Sequence, residues 1–214
     1  KNRYKYGYEW LKIFSELTST AKKRVNFKSN NFDIKEAYCN PKIDRKKFKV
    51  VSAAYSEMGR DFALKNCDYL FTMFQDFEKT KIRNNIILNE AKKRKKHIEL
   101  LTPIHVICRN SESEANEFHK YYSEKKQDTK ATDNFILNVA KAKKMSLYKI
   151  MKKKSDIIAS SCGSAIIKGS PKSVAEQLRE LKNVKFSGAA FSFVNYYDEL
   201  KYFKEKVLSS GVLK

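Results

Sequence analysis

Residues 48–72 constrain the fold most, because they predict a strand, a tight polar turn, a short helix and a second strand in direct succession. An apolar run predicts the first strand over 48–54, and this strand ends in the small residues Ser52, Ala53 and Ala54. Small side chains at a strand end let a bulky group approach the backbone. A strand–helix–strand unit of this kind indicates an α/β protein with parallel strands.

The turn after this strand has the composition of an anion-binding helix start. Ser56 stands at the N-cap position of a helix predicted over 57–66, and Gly59 lies in its first turn. The first amides of a helix have no partners within the helix, and the helix dipole adds a partial positive charge there. The sequence therefore predicts a phosphate site at this turn, with an ordinary helix N-cap as the alternative.

Strands and helices alternate along most of the chain. Hydrophobic periodicity and capping residues predict a helix over 3–18, a hairpin over 25–38, a strand over 68–73, a helix over 78–96, a strand over 99–108, helices over 112–124 and 171–182, a strand over 187–194 and a helix over 196–208. This order predicts a parallel sheet. A (β/α)8 barrel has eight strands in about 250 residues, so four strong strands indicate half a barrel or a small open sheet.

Residues 125–165 form an irregular insert in this alternation. Helices are predicted over 130–141 and 146–154, and an irregular loop runs through Ser160 to Ser164. Long irregular inserts in barrels are often lids over the active site. We therefore expect one domain over 1–214 that carries a lid.

Composition supports a globular protein of a reducing compartment. The chain has 214 residues, of which 42% are hydrophobic, and no run approaches the ~20 apolar residues of a membrane span. Its four cysteines (Cys39, Cys67, Cys108 and Cys162) form no CxxC pair, so no metal site is expected and a cytoplasmic location fits best. Cys67 and Cys108 lie in apolar segments, which predicts buried thiols.

The net charge of +21 admits two interpretations. Forty-five Lys and Arg residues against 24 Asp and Glu residues are typical of a protein that binds nucleic acid or an anionic membrane. However, Lys dominates over Arg, the charge is spread along the whole chain, and no nucleic-acid-binding motif is present. A general bias in amino-acid usage is therefore the favoured interpretation.

Three blocks of sequence together resemble one family. They are Arg3-Tyr4-x-Tyr6-x-x-Glu9-Trp10-Leu11 with Val25-Asn26-Phe27, then Ser52-Ala53-Ala54-Tyr55-Ser56-x-x-Gly59-Arg60-Asp61-Phe62-Ala63 with Cys67-Asp68, and finally Gly169-Ser170-Pro171-x-x-Val174-Ala175-x-x-Leu178 with Ser192-Phe193. The blocks resemble the bacterial luciferase-like, FMN-dependent monooxygenases, in the branch of dimethylsulfone, alkanesulfonate and pyrimidine monooxygenases. Ile107-Cys108-Arg109 leans toward the dimethylsulfone type.

The resemblance implies the C-terminal half of a luciferase-like (β/α)8 TIM barrel, containing about strands five to eight. Strands one to four would lie upstream, together with the catalytic residues that this half does not contain. The implied activity is oxidation of a small organosulfur compound by dioxygen and reduced FMN, which a separate flavin reductase supplies, in a protein that forms homo-oligomers. Three alternatives stay open: the pyrimidine-type reaction, a basic nucleic-acid-binding protein, and a non-catalytic remnant of the barrel.

The resemblance also implies which residues hold FMN. Ser56 would bind the phosphate through its hydroxyl and amide, helped by the backbone of Met58 and Gly59. Tyr4 would reach the same phosphate, with Tyr6 and Tyr8 as competitors for this role and plain helix packing as the alternative for Tyr4. The small residues Ala53 and Ala54 would let the flavin lie close to the strand end, which Tyr55 narrows.

Arg109 and the histidines are weaker candidates. Arg109 lies just past a predicted strand end, where it could bind a sulfonyl oxygen of the substrate, but a solvated arginine is the favoured interpretation. His105, inside a strand, is predicted to be packed and hydrogen-bonded, whereas His97 and His119 are predicted to lie on the surfaces of helices.

Overall fold

The computed structural model describes residues 3–21, 23–44, 47–74, 76–143 and 145–209, and the chain divides into two compact units. The first unit comprises Lys1–Thr72 and Ile86–Leu100, and the second comprises Met73–Asn85 and Leu101–Lys214. No helix in these described ranges is long and apolar enough to span a membrane.

The first unit holds a helix, a hairpin and a parallel strand–helix–strand unit. Its elements are α1 (Arg3–Thr18), β1 (Val25–Lys28), β2 (Asp33–Ala37), β3 (Val51–Ala53), α2 (Glu57–Asn66) and β4 (Tyr69–Phe71), followed by the later part of α3 (Phe77–Lys93) and the start of β5 (Glu99–Cys108). The predicted helix over 3–18, the hairpin and the helix over 57–66 are confirmed.

Strands β3 and β4 run parallel, with Val51 opposite Tyr69 and Ala53 opposite Phe71. Helix α2 connects them and buries Ala63 and Leu64 completely. Both strands are shorter than predicted. The Val50 carbonyl nevertheless accepts hydrogen bonds from the amides of Asp68, just before β4, and of Tyr69, the first residue of β4. The parallel strand–helix–strand unit is therefore present as predicted.

The second unit contains the remaining strands. Its elements after β5 are α4 (Glu112–Lys120), a π-helical turn (Tyr121–Lys125), α5 (Thr129–Ala142), α6 (Leu147–Lys152), α7 (Ser155–Ser161), β6 (Ala165–Gly169), α8 (Pro171–Asn183), β7 (Gly188–Ser192), α9 (Tyr196–Phe203) and a second π-helical turn (Lys204–Leu208). Ser111 and Ser170 are the N-caps of α4 and α8, since each hydroxyl accepts a hydrogen bond from the amide three residues ahead.

Strand β5 is the centre of the second unit. It pairs in parallel with β6, where Cys108 lies opposite Gly169, and with β7, where His105 lies opposite Ser192. Ile104, Val106 and neighbouring side chains are almost completely buried. The continuous apolar run of residues 99–108 therefore predicted this buried strand correctly.

The structure has helix α7 in the last part of the predicted irregular insert over residues 125–165, and strand β6 at the end of this insert. Neither element was predicted from the sequence. Strand β6 is only five residues long, and its pairing with β5 is non-local, so local periodicity contains little signal for it. The predicted helices over 112–124 and 146–154 are also shorter, because the first ends in the π-helical turn and the second stops at Lys152.

Candidate functional site

The start of α2 is built as the sequence predicts. Ser56 has extended backbone angles (φ −84°, ψ 156°), and its hydroxyl accepts a hydrogen bond of 3.2 Å from the Gly59 amide. The amides of Glu57 and Met58 lie before the first residue that can bond within the helix. The helix start therefore offers two backbone donors beside an exposed serine hydroxyl.

Tyr4 joins this helix start from α1. Its hydroxyl lies 3.1 Å from the Ser56 Oγ, and it accepts a hydrogen bond of 3.0 Å from Arg3. The hydrogen bonds from Ser56 and then Arg3 lower the pKa of Tyr4 below its ordinary value. Two hydroxyls and a guanidinium are thus gathered at one place, which is a donor set suited to phosphate.

Gly59 makes this gathering sterically possible. A Cβ at this buried position would lie 2.8 Å from the Ala54 Cβ, 3.0 Å from the Tyr4 hydroxyl and 3.2 Å from the Ser56 Oγ. Any larger residue would push these groups apart. We call the group of Arg3, Tyr4, Ser56 and Gly59 the helix-start cradle.

Three further residues are expected to contact FMN. Ala54 lies at the cradle, whereas Ala53 and the Met58 side chain are exposed to solvent. Ala54 is buried, and its amide donates to the Phe71 carbonyl of β4. Ala53 is exposed at the end of β3, and the Met58 side chain is 61% exposed. The Met58 amide lies in the first turn of α2, and its contact with FMN stays a prediction.

A groove of about 890 Å³ opens beside the same helix, with Tyr4 and Met58 in its wall. Its charged lining is mixed, because Arg60 and Lys65 are accompanied by acidic residues, and the Arg94 guanidinium is paired with Asp61 at 2.7 Å. The groove therefore has little excess positive charge. A phosphate at this helix start would therefore be held by the cradle rather than by the surrounding field.

A second helix start, at α8 in the second unit, is already filled by a carboxylate. The Glu112 Oε1 accepts a hydrogen bond of 2.8 Å from the Ser170 amide, which lowers the pKa of Glu112. A Cβ at Gly169, whose φ is +143°, would lie 2.5 Å from the same carboxylate. Barrels commonly bind phosphate after their seventh and eighth strands, but an internal anion occupies this helix start.

Arg109 is not the solvated arginine that was favoured. Its Nη2 lies 2.6 Å from the Glu199 Oε1, its Nη1 donates to the Cys108 carbonyl, and its guanidinium stacks 3.8 Å above the Phe118 ring. The partner is 90 residues away in sequence, so composition could not reveal it. These two hydrogen bonds use two of the five N–H donors of the guanidinium, and together with the Phe118 ring they fix its orientation.

The prediction for His105 is confirmed, and the prediction for His97 is confirmed in part. His105 is buried, with its Nδ1 2.9 Å from the Ser192 Oγ and its Nε2 3.1 Å from the Tyr122 hydroxyl, so the packed, hydrogen-bonded histidine is confirmed. His97 is exposed but follows α3 rather than lying on a helix.

His119 was predicted at the surface, and this was wrong. It is half-buried, and its Nδ1 lies 3.1 Å from the Lys168 Nζ. Its Nε2 is buried and has no hydrogen-bond partner among the described residues. Helix α4 packs on β6, the strand that the sequence analysis missed, and this explains the burial.

Cysteines and metal ligands add no further site. Cys67 and Cys108 are buried as predicted, and burial raises the pKa of the Cys108 thiol to about 11, which makes it unreactive. Across the described residues, no group of three His, Cys, Asp or Glu side chains could hold a metal ion.

The sequence analysis missed Arg3 as a member of the cradle and Glu112 as the anion at α8. Arg3 lies beside Tyr4 in the first of the three sequence blocks, so this position could have indicated a role at the same site. Glu112 precedes Ser170 by 58 residues. No local pattern connects the two.

Comparisons with known proteins place the chain in a family. The family described as luciferase-like monooxygenase matches residues 1–188. The comparison with curated proteins found no match.

Solved structures share the fold at low sequence identity. DmoA from Hyphomicrobium sulfonivorans has a TM-score of 0.74 at 14% identity, and the match covers 97% of this chain and 55% of that one. EDTA monooxygenase (EmoA) from Chelativorans sp. BNC1 has a TM-score of 0.74 at 15% identity, covering 100% and 61%. Riboflavin lyase (RcaE), solved with modified FMN and riboflavin, has a TM-score of 0.77 at 15% identity, covering 97% and 56%.

The chain thus spans between 55% and 61% of the length of these three structures. The parallel α/β arrangement corresponds to part of a luciferase-like barrel, as the four predicted strands indicated. The chain belongs to the luciferase-like monooxygenase family.

Proposed function

We propose that this chain provides the FMN-phosphate site of a flavin-dependent monooxygenase that oxidises a small organosulfur compound with dioxygen. The helix-start cradle is the observation that carries the proposal. Its Tyr4 and Ser56 hydroxyls lie 3.1 Å apart, and Gly59 leaves the space that lets them meet.

The residues of the cradle suit a phosphate dianion. The Ser56 and Tyr4 hydroxyls and the amides of Glu57 and Met58 would donate to its oxygens, and Arg3 would offset its charge. Because the Glu112 carboxylate already occupies the start of α8, the start of α2 is the better phosphate site of the two. RcaE, which was solved with a modified FMN, supports an FMN-type cofactor in a protein of this fold.

Reduced FMN, when bound, supplies the activation of dioxygen. The cradle would fix the phosphate end of the cofactor and so set the position of its ring. The small side chains of Ala53 and Ala54 would leave room for the cofactor beside the end of β3. Organosulfur specificity rests on the sequence blocks shared with the dimethylsulfone and alkanesulfonate branch.

A separate reductase would provide the reduced flavin. This part of the chain carries no GxGxxG fingerprint after a predicted strand, which favours a supply of reduced FMN by another protein. We therefore expect two components, with electrons arriving on FMN.

The substrate class can be tested with the intact protein, a flavin reductase, NADH and FMN. We expect dioxygen-dependent oxidation of a dialkyl sulfone or an alkanesulfonate. Product should be followed by mass spectrometry, because free reduced flavin also consumes dioxygen. A reaction without reductase serves as the control.

Conversion of a pyrimidine instead of the sulfur compounds would replace the organosulfur assignment by the ring-opening branch. No product from either class, with FMN bound, would contradict the monooxygenase proposal for these substrates.

A further inference from the structure

A small apolar pocket opens in the second unit, beside the second half of α8 and the start of β7. Its volume is about 260 Å³. The apolar side chains that line it come from α8, from the turn after α8, from β7 and from the second π-helical turn: Leu178, Leu181, Phe186, Phe191 and Leu208. Apolar side chains from four separate segments therefore meet at one place.

The way in which α8 ends creates this pocket. Lys185 follows the helix with a φ of +66°, and the Phe186 amide donates a hydrogen bond of 3.1 Å to the Leu181 carbonyl. A residue with positive φ just after a helix turns the chain back across the last helical turn. Phe186 is buried by this turn, and the small residues Gly188 and Ala189 follow it in the pocket lining. Their small side chains leave space beside β7.

Part of the apolar lining is in contact with water. Leu178 and Leu181 are buried, whereas Phe191 is 38% exposed and Leu208 is 46% exposed. Apolar surface gains free energy when it is removed from water, in proportion to the area that is covered. An alkyl chain in the pocket would cover both exposed side chains, so the lining favours an aliphatic ligand.

The charge at this pocket has one sign. Among the described residues that line it, the charged ones are Arg179 and Lys182, and none is acidic. The groove beside α2 differs, because its cations are accompanied by acidic residues. Arg179 is half-buried and Lys182 is exposed, and such side chains cover apolar surface with their stems while their charged ends stay in water. The lining therefore complements a ligand with an alkyl chain and an anionic head.

We propose that this pocket binds an alkyl anion of medium length, such as a free alkyl carboxylate. Its chain would lie against the apolar lining, and its head would lie at Arg179 and Lys182. All the residues that line the pocket belong to the second unit, whereas the helix-start cradle belongs to the first. The proposal therefore stands or falls independently of the FMN site and of the proposed reaction.

Titration calorimetry of the intact protein with hexanoate, octanoate and decanoate, each kept below the concentration at which it forms micelles, tests the apolar part of the proposal. Each added methylene should tighten binding by about fourfold, as expected when a methylene group is buried. 1-Octanol, which has the chain of octanoate without its charge, should bind more weakly than octanoate. Affinities that do not depend on chain length would overturn the proposal, and so would equal affinities for octanoate and 1-octanol.

Two matched lysine variants of α8 test the position of the anionic head. Lys182→Gln should weaken octanoate binding roughly two- to fivefold, as expected for loss of an exposed ion pair. Lys172→Gln removes the same charge from an exposed lysine of α8 outside the pocket lining, and it should bind octanoate as the wild type does. Equal effects of the two variants would overturn the proposal.

A membrane surface is the other partner with apolar and anionic groups. Sedimentation with phosphatidylglycerol vesicles distinguishes it from a free alkyl anion. We expect octanoate to bind to the intact protein in the absence of any vesicle. Binding to the vesicles without binding of monomeric octanoate would overturn the proposal and would assign these residues to a membrane contact instead.

Discussion

The burial of His105 makes the second unit sensitive to acid. Only 5% of the residue is exposed, and desolvation, with a smaller effect from His119, lowers its pKa from 6.5 to about 4. His119, which has Lys168 beside it, also has a lowered pKa. The unfolded chain therefore binds protons at a pH where the folded chain does not.

This difference sets the direction of the pH dependence. The stabilisation from neutral His105 is complete above pH 6.5, is lost as the pH falls from 6.5 to about 4, and changes no further below that. A shift of this size corresponds to at most ~3 kcal/mol. Urea unfolding of the wild type at pH 7 and pH 4.5 should show the loss.

His105→Gln supplies the comparison, because the glutamine amide can still hydrogen-bond but does not titrate. Between pH 7 and pH 4.5, its free energy of unfolding should fall by less than that of the wild type. Protonation of His119 should account for part of the fall that remains. Equal losses in the two proteins would exclude His105 as a source of acid sensitivity.

At the same scale, sequence reasoning succeeds where a contact is local and fails where it is distant. Ser56 and Gly59 could be predicted because a helix cap is set by residues three apart. The Arg109–Glu199 ion pair and the Glu112–Ser170 hydrogen bond join residues 90 and 58 positions apart, so only the fold brings them together.

Among the elements, α1 and α2 each contain a glycine, and the two glycines should respond oppositely to alanine. Alanine favours a helix over glycine by about 1 kcal/mol. At Gly7 a new Cβ would meet the Phe62 ring at 3.6 Å, an ordinary contact, whereas at Gly59 it would meet the Ala54 Cβ at 2.8 Å. We expect Gly7→Ala to stabilise the protein. In Gly59→Ala, crowding should cost about 1–3 kcal/mol of unfolding free energy and so cancel the gain in helix propensity.

Thermal unfolding and FMN titration would measure both effects. Gly59→Ala should also weaken FMN binding, because the new methyl displaces the Tyr4 and Ser56 hydroxyls, and Gly7→Ala should leave it unchanged. If Gly59→Ala bound FMN as well as the wild type, the close approach at Gly59 would not matter for the cofactor.

The elements that escaped prediction share a physical cause. Strand β6 spans five residues and α7 spans seven, both too short for periodicity to separate from a loop. Strand β6 exists because β5 offers it a parallel edge, and its last residue, Gly169, takes a φ of +143° beside Glu112. Tertiary pairing, rather than local preference, decides this segment.

For the whole molecule, the recognisable blocks lie within residues 3–68 and 169–193, and together they were enough to predict the family. The blocks mark helix starts and strand ends, which a barrel reuses at each repeat. Within the described residues, β3 pairs with β4 and β7 pairs with β5. We expect the four strands that the resemblance places upstream to pair with the edge of β3, which ends the sheet order β3-β4-β5-β6.

The assignment of the cradle as a phosphate site is tested by comparing the affinities of the intact protein for FMN and for riboflavin, which lacks the phosphate. Fluorescence titration should show tighter binding of FMN in the wild type. Ser56→Ala should weaken FMN binding roughly ten- to a hundredfold, as expected for loss of a hydrogen bond to a charged group, and should leave riboflavin unaffected. Ser111→Ala, which removes an equivalent N-cap at α4, should bind both flavins as the wild type does. An FMN preference that survives in Ser56→Ala would contradict the phosphate assignment.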